Sequence, residues 1–173
     1  YMIGLPPIVK LGSPEIPEAS AEPIIAGEKI AALAVTEPGG GSDVAALRST
    51  ARREGDDYVV NGEKTFITSG MQADVFTVAV RTDPESRGAH GISFLVVDGD
   101  APGLERTELH KMGWHASDTA HLAFRDVRVP AANLLGREHE GFQAVMLNFN
   151  DERLVIAAQA VGAAEACFLE AVE

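Results

Sequence analysis

Three short stretches hold the residue types that could do chemistry. Residues 34–43 read AVTEPGGGSD, in which an apolar run breaks into three consecutive glycines flanked by the hydroxyls of Thr36 and Ser42. Ordering three glycines costs chain entropy, and what it leaves is a loop of bare backbone N–H groups that can approach a flat or phosphorylated ligand closely. An ordinary glycine-rich turn has the same spelling. In KTFITSG, Phe66 and Thr68 are two apart and fall on one strand face, a ring beside a hydroxyl that suits a planar heterocycle or a packed core. Farther on, Val145, Phe149, Glu152 and Ile156 follow the i, i+4, i+7, i+11 spacing of one helix face. A carboxylate in such an apolar stripe is partly desolvated and its pKa rises, as a general base acting on a carbon acid requires. A rotated or kinked helix would instead leave Glu152 as a solvated surface group.

Competing motifs fail on spacing. A dinucleotide loop needs a third glycine where Val44 stands, and GEKT at 62–65 lacks the earlier glycine and the strand-to-helix context of a P-loop. His110, His115 and His121 are spaced five and six apart, which matches no common zinc pattern, so no metal is expected.

The elements that must position these groups fall into three parts. Residues 1–28, with prolines at 6, 7, 14, 17 and 23, predict short helical turns joined by bends, the end of a helical domain. Residues 29–137 predict a mainly β unit, an antiparallel barrel or sandwich, from eight segments: KIAALAV, LRSTARR, DYVV, KTFITS, VFTVAVR, GISFLVV, LERTEL and HLAFRDVRV. Asn61-Gly62 predicts a hairpin turn between the third and fourth segments. Leu122, Phe124, Val127 and Val129 predict an inward face ended by Pro130. Residues 138–173 predict one long helix, the first of a bundle whose partner helices are not in this chain.

The 173 residues carry 14 basic against 26 acidic side chains, a net charge of −12 that repels nucleic-acid phosphates and anionic membranes. No run is read as long enough for a membrane span and no leader is seen, so a soluble protein without stable membrane insertion is expected. The one cysteine, Cys167, is read as core filler, and a reducing compartment follows: the cytoplasm of a bacterium or a mitochondrial matrix. Tyr1 at the start and a helical pattern running into Glu173 suggest a segment cut from a longer protein.

Read together, AVTEPGGGSDV, NGEKTFITSG, HKMGWHASDTAHLAFRDVRVPAANLLG and EGFQAVMLNFNDERLVIA resemble the acyl-CoA dehydrogenase family in order, spacing and wording, over nearly the whole chain. The resemblance implies a middle β-barrel that seats FAD, between the end of an N-terminal helical domain and the opening helix of a C-terminal four-helix bundle. It implies flavin contacts at Leu33, Val35, Thr36, Gly41, Ser42, Phe66, Ile67 and Thr68. Phe66 replaces the more usual tryptophan on the ring face, and Thr68 stands near the reactive nitrogen. Ser42, Asn150 and Arg153 match substrate-side positions. The catalytic base falls at Glu152, within Glu152-Arg153-Leu154, if the long-chain and isovaleryl-CoA branches are followed. It falls on a loop beyond Glu173 if the commoner pattern is followed. The implied reaction is α,β-dehydrogenation of an acyl-CoA to the trans-2-enoyl-CoA, with electrons passed to electron-transfer flavoprotein, in a tetramer or dimer. An acyl-CoA oxidase or flavin monooxygenase of the same fold, or a non-catalytic binding module, is the alternative.

Overall fold

The structure is a computed structural model that describes residues 4–14 and 16–172. Helix α1 (Leu5–Leu11) carries prolines in its first turn, where the missing N–H costs nothing. A π-helical turn (Pro17–Ala21) and the one-turn helix α2 (Glu22–Ile25) follow. Eight strands come next: β1 (Ala31–Ala34), β2 (Thr50–Glu54), β3 (Asp57–Thr68), β4 (Val75–Arg81), β5 (Ile92–Asp98), β6 (Leu104–Glu108), β7 (Thr119–Pro130) and β8 (Leu134–Leu135). Helix α3 (Gly141–Val172) ends the described chain.

All eight strands join one sheet in the order β6-β7-β3-β2-β4-β5-β8, with β1 pairing in parallel on β4. The other ladders are antiparallel apart from a single parallel contact of Thr50 with Arg81. The fold is thus mainly β with flanking helices. The hydrogen-bonded path stays open between β6 and β8, yet the sheet curls until its two halves share a core: Tyr58, Val60, Leu122, Phe124, Val127 and Val129 meet Phe76, Val78, Val80, Leu95 and Val97. The alternate residues of β4 and β5, among them Val75, Ala79, Ile92, Phe94 and Val96, form a second cluster with Ile8, Ile24 and Val145 of the helices. Both faces of these two strands are covered, which is why VFTVAVR and ISFLVV show no apolar–polar alternation.

Two sequence expectations about the strands need correction. Asn61-Gly62 makes no hairpin turn: β3 runs straight through it, and the tight turn is Gly55-Asp56, where Gly55 takes φ +65° and Glu54 pairs with Asp57. DYVV and KTFITS are therefore one strand, and the eighth strand is Leu134–Leu135, which none of the eight predicted segments includes. Gly62 is needed for a different reason, because a Cβ there would lie 2.5 Å from Ser49 Oγ. The register with β7 shifts between Val60 and Gly62, opposite Asp126, which adopts φ +51°. Asn61 pins this bulge by donating to Asp126 Oδ1 (2.9 Å) and accepting from Asp126 N (3.0 Å). The bulge is what moves the inward face of β7 from Leu122 and Phe124 to Val127 and Val129.

Helix α3 is 32 residues long, about 48 Å at 1.5 Å per residue. Its first turns sit on the sheet through buried Val145 and partly buried Phe142, Met146 and Phe149. From Leu154 onward Val155, Ile156, Val161, Phe168 and Leu169 are exposed. Two more expectations fail here. Cys167 is exposed rather than core filler, and α3 is by length and composition long and apolar enough to cross a membrane, although no such run is read from the sequence.

Candidate functional site

The exit of β1, the far end of β3 and the third and fourth turns of α3 converge. Strand β3 loses register with β7 a second time, between Lys64 and Ile67, and within that bulge Phe66 adopts φ +59°. A bulge re-aims side chains. Here it turns the Phe66 ring outward to 70% exposure while Ile67 goes into the core and Thr68 returns to the surface. The backbone beside it is fastened by Thr65 N donating to Thr36 O (2.8 Å).

A buried ion pair lies directly beneath. Lys64 Nζ, fully buried, donates to Val35 O (3.1 Å) and to Glu37 Oε1 (2.8 Å). The Glu37 carboxylate also accepts from the backbone N–H of Arg48 (2.6 Å) and of Ser49 (2.9 Å). Burial alone would raise the Glu37 carboxyl. The adjacent ammonium and these hydrogen bonds outweigh it and hold the group below its ordinary range. Burial brings Lys64 down to about 8 against the pull of Glu37.

Above the pair is an open hollow of about 140 Å³, lined by Leu33, Val35, Thr36, Phe66, Ile67, Thr68, Phe149 and Glu152. Glu152 is half-buried at its edge. Desolvation lifts its carboxyl above the usual carboxylate range, opposed by the buried Asn148, whose amide donates to Glu152 Oε1 from one turn earlier. An exposed ring, two hydroxyls and an elevated carboxylate around one open recess fit a flat heteroaromatic group laid over the Phe66 face, with a reacting carbon near Glu152.

Six of the expected cofactor residues, Leu33, Val35, Thr36, Phe66, Ile67 and Thr68, line this hollow together with the expected base. Gly41, Ser42, Asn150 and Arg153 do not line it. Gly41 folds back on Thr36, where a Cβ would lie 2.9 Å from Thr36 Cγ2, and Ser42 is exposed beyond it. Arg153 donates to Asn150 Oδ1 (3.2 Å) and lies 5.9 Å from the Phe149 ring centre, on the exposed side of α3. Gly39 and Gly40 have nothing within 4 Å of an added Cβ, so the chain's own packing does not require their bareness. A roomier recess of about 430 Å³ flanks the glycine run, but Glu37, Asp43 and Glu63 outnumber Arg48 in its lining. The smaller hollow holds the more reactive set.

Sequence reading missed Asn148, Glu37 and Lys64. Asn148 was findable, four residues before Glu152 and therefore on the same helix face. Lys64 was not, because the bulge at Phe66 breaks the period of two that would place Lys64 and Phe66 on one face.

Comparison with known proteins matches residues 32–127 to the middle domain of acyl-CoA dehydrogenase and residues 139–173 to its C-terminal domain. The long-chain specific acyl-CoA dehydrogenase of rat mitochondria is 44% identical over 170 residues, covering 97% of this chain and 40% of that protein. A crystal structure of an acyl-CoA dehydrogenase from Geobacillus kaustophilus superposes with TM-score 0.87 at 48% identity, covering 90% of this chain and 41% of its own. A structure concerned with the electron transferring flavoprotein of Acidaminococcus fermentans superposes with TM-score 0.89 at 41% identity, covering 94% of this chain and 43% of its own. The chain thus spans about two fifths of the length of these relatives. On its matched domains, its sheet topology and this identity, the chain belongs to the acyl-CoA dehydrogenase family.

Proposed function

We propose that the chain is the flavin-seating segment of an FAD-dependent acyl-CoA dehydrogenase. The observation that carries this reading is the shared hollow of Thr36, Phe66, Thr68 and Glu152, an aromatic face and two alcohols beside a carboxylate of raised pKa. FAD, when bound, supplies an acceptor for the two electrons that leave the substrate as hydride.

The chain's own residues account for the rest. Thr36 and Thr68 offer hydroxyl donors at the hollow, where negative charge arriving with the hydride needs stabilising. Phe66 gives a flat apolar surface that fixes the plane of a ring. Glu152 takes the proton from the carbon next to the thioester as the adjacent carbon loses hydride, and a double bond forms between the two. Asn148 holds the Glu152 carboxyl in place and Phe149 shields one side of it from water. Electrons then go to electron-transfer flavoprotein, further helices of the C-terminal domain complete the bundle around α3, and the working enzyme is a tetramer or dimer.

The test is made on the full-length protein that contains this chain. It is expected to purify yellow, with absorption near about 450 nm that bleaches when an acyl-CoA is added without air. A colourless protein that ignores acyl-CoA overturns the proposal.

A further inference from the structure

Buried ion pairs are a poor route to stability, since apolar replacements of similar volume are commonly as stable or more so. The Glu37–Lys64 pair therefore calls for another account, and its connections supply one. Lys64 belongs to β3, two residues before Phe66. It holds Val35 O, one residue before Thr36, and the Glu37 carboxylate, one residue after it. Thr36 is thus gripped on both sides by one ammonium, and its own carbonyl is held by Thr65 N. Glu37 in turn fastens the 48–49 backbone, against which Gly62 packs without room for a Cβ. Among the described residues β1 and β3 share no ladder, and β1 pairs with β4 alone. These side-chain bonds and the Thr65–Thr36 bond stand in for the missing ladder across the floor of the hollow.

We propose that Glu37 and Lys64 are positioning residues for the flavin site, locking Thr36 on the β1 exit against Phe66 and Thr68 on the β3 bulge. This rests on the flavin reading above. Neither residue lines the hollow with Phe66, so both act through the backbone they hold.

The experiment compares FAD dissociation constants and the visible circular dichroism of bound flavin in the full-length protein, its Lys64→Met variant and a Leu95→Ala variant. Leu95 is fully buried in the core on β5, outside the hollow, and its truncation is chosen to lower the Tm by a comparable amount. Lys64→Met is expected to weaken FAD binding at least tenfold and to alter the flavin dichroism. Leu95→Ala is expected to change affinity less than twofold with an unaltered band. Equal FAD affinity in Lys64→Met and wild type overturns the positioning role, as does a loss in Leu95→Ala that matches it. If Lys64→Met does not fold, Lys64→Gln, which keeps an amide donor, is read by the same criteria. A wild-type protein that binds no FAD sinks the flavin reading itself, a result separate from any difference among the variants.

Discussion

Replacing Glu152 by Gln isolates the proton-transfer role with little other disturbance. The amide has nearly the volume of the carboxyl, and its carbonyl oxygen can accept the same Asn148 hydrogen bond, so a contact of about 1 kcal/mol is kept. The charge that is lost is one the fold disfavours: burial raises the carboxyl's pKa above its ordinary 4.5, so an ionised Glu152 weighs against the folded state as pH rises through the raised value. The Tm at neutral pH should not fall. Activity should. Removing a positioned general base typically costs about 10²- to 10⁴-fold, or about 3 to 5 kcal/mol at 1.36 kcal/mol per decade. The assay is turnover of an acyl-CoA by the full-length protein with an artificial electron acceptor, alongside FAD content from the visible spectrum. In the wild type the rate should climb with pH through a value above 4.5, as Glu152 ionises. Turnover of Glu152→Gln within about threefold of wild type, at unchanged FAD content, refutes the reasoning and moves the base beyond Glu173.

Phe66→Gly should have opposite effects on fold and ligand. It relieves the positive φ, worth about 1 kcal/mol in apo stability, yet removes the ring and weakens FAD by about tenfold, read by thermal unfolding and flavin fluorescence. Gly62→Ala drives a methyl into Ser49 at 2.5 Å and should cost about 2–4 kcal/mol in denaturant unfolding, with FAD affinity falling alongside. Because the Glu37 carboxyl is held below its ordinary range, its stabilisation is complete above the unfolded value of about 4.5. It is lost as pH falls through the lower folded value, so Glu37→Gln should flatten the acid limb of a stability–pH curve. Deleting residues 157–173 of this chain should shift its Tm by no more than about two degrees while reducing self-association, since residues 157–172 are exposed and largely apolar.

Local chemistry made much of the site legible. The glycine run announced a loop of bare amides, and Phe66 and Thr68, a ring beside a hydroxyl, suited a planar heterocycle as well as a packed core. The helix period placed Glu152 beside Phe149, and both line the hollow. Bulges defeated the reading elsewhere. Asn61-Gly62 has the composition of a hairpin turn, and only the approach of Ser49, just ahead of β2, shows that the glycine serves a continuous strand. Nothing local in the sequence marks Lys64 as buried, because its partner, Glu37, is 27 residues away and its burial depends on a register shift two residues on. Such shifts are set by tertiary contacts that a single strand's sequence does not encode.

The anchorage of α3 has a mechanical consequence. The helix is clamped near Val145 and runs uncovered from Leu154, so it behaves as a cantilever with Glu152 close to the fulcrum. At 1.5 Å per residue, a five-degree swing about Val145 would carry Val172 about 3.5 Å sideways and Glu152 only about 0.9 Å. The free arm can thus adjust to whatever encloses it while the proton acceptor holds its aim.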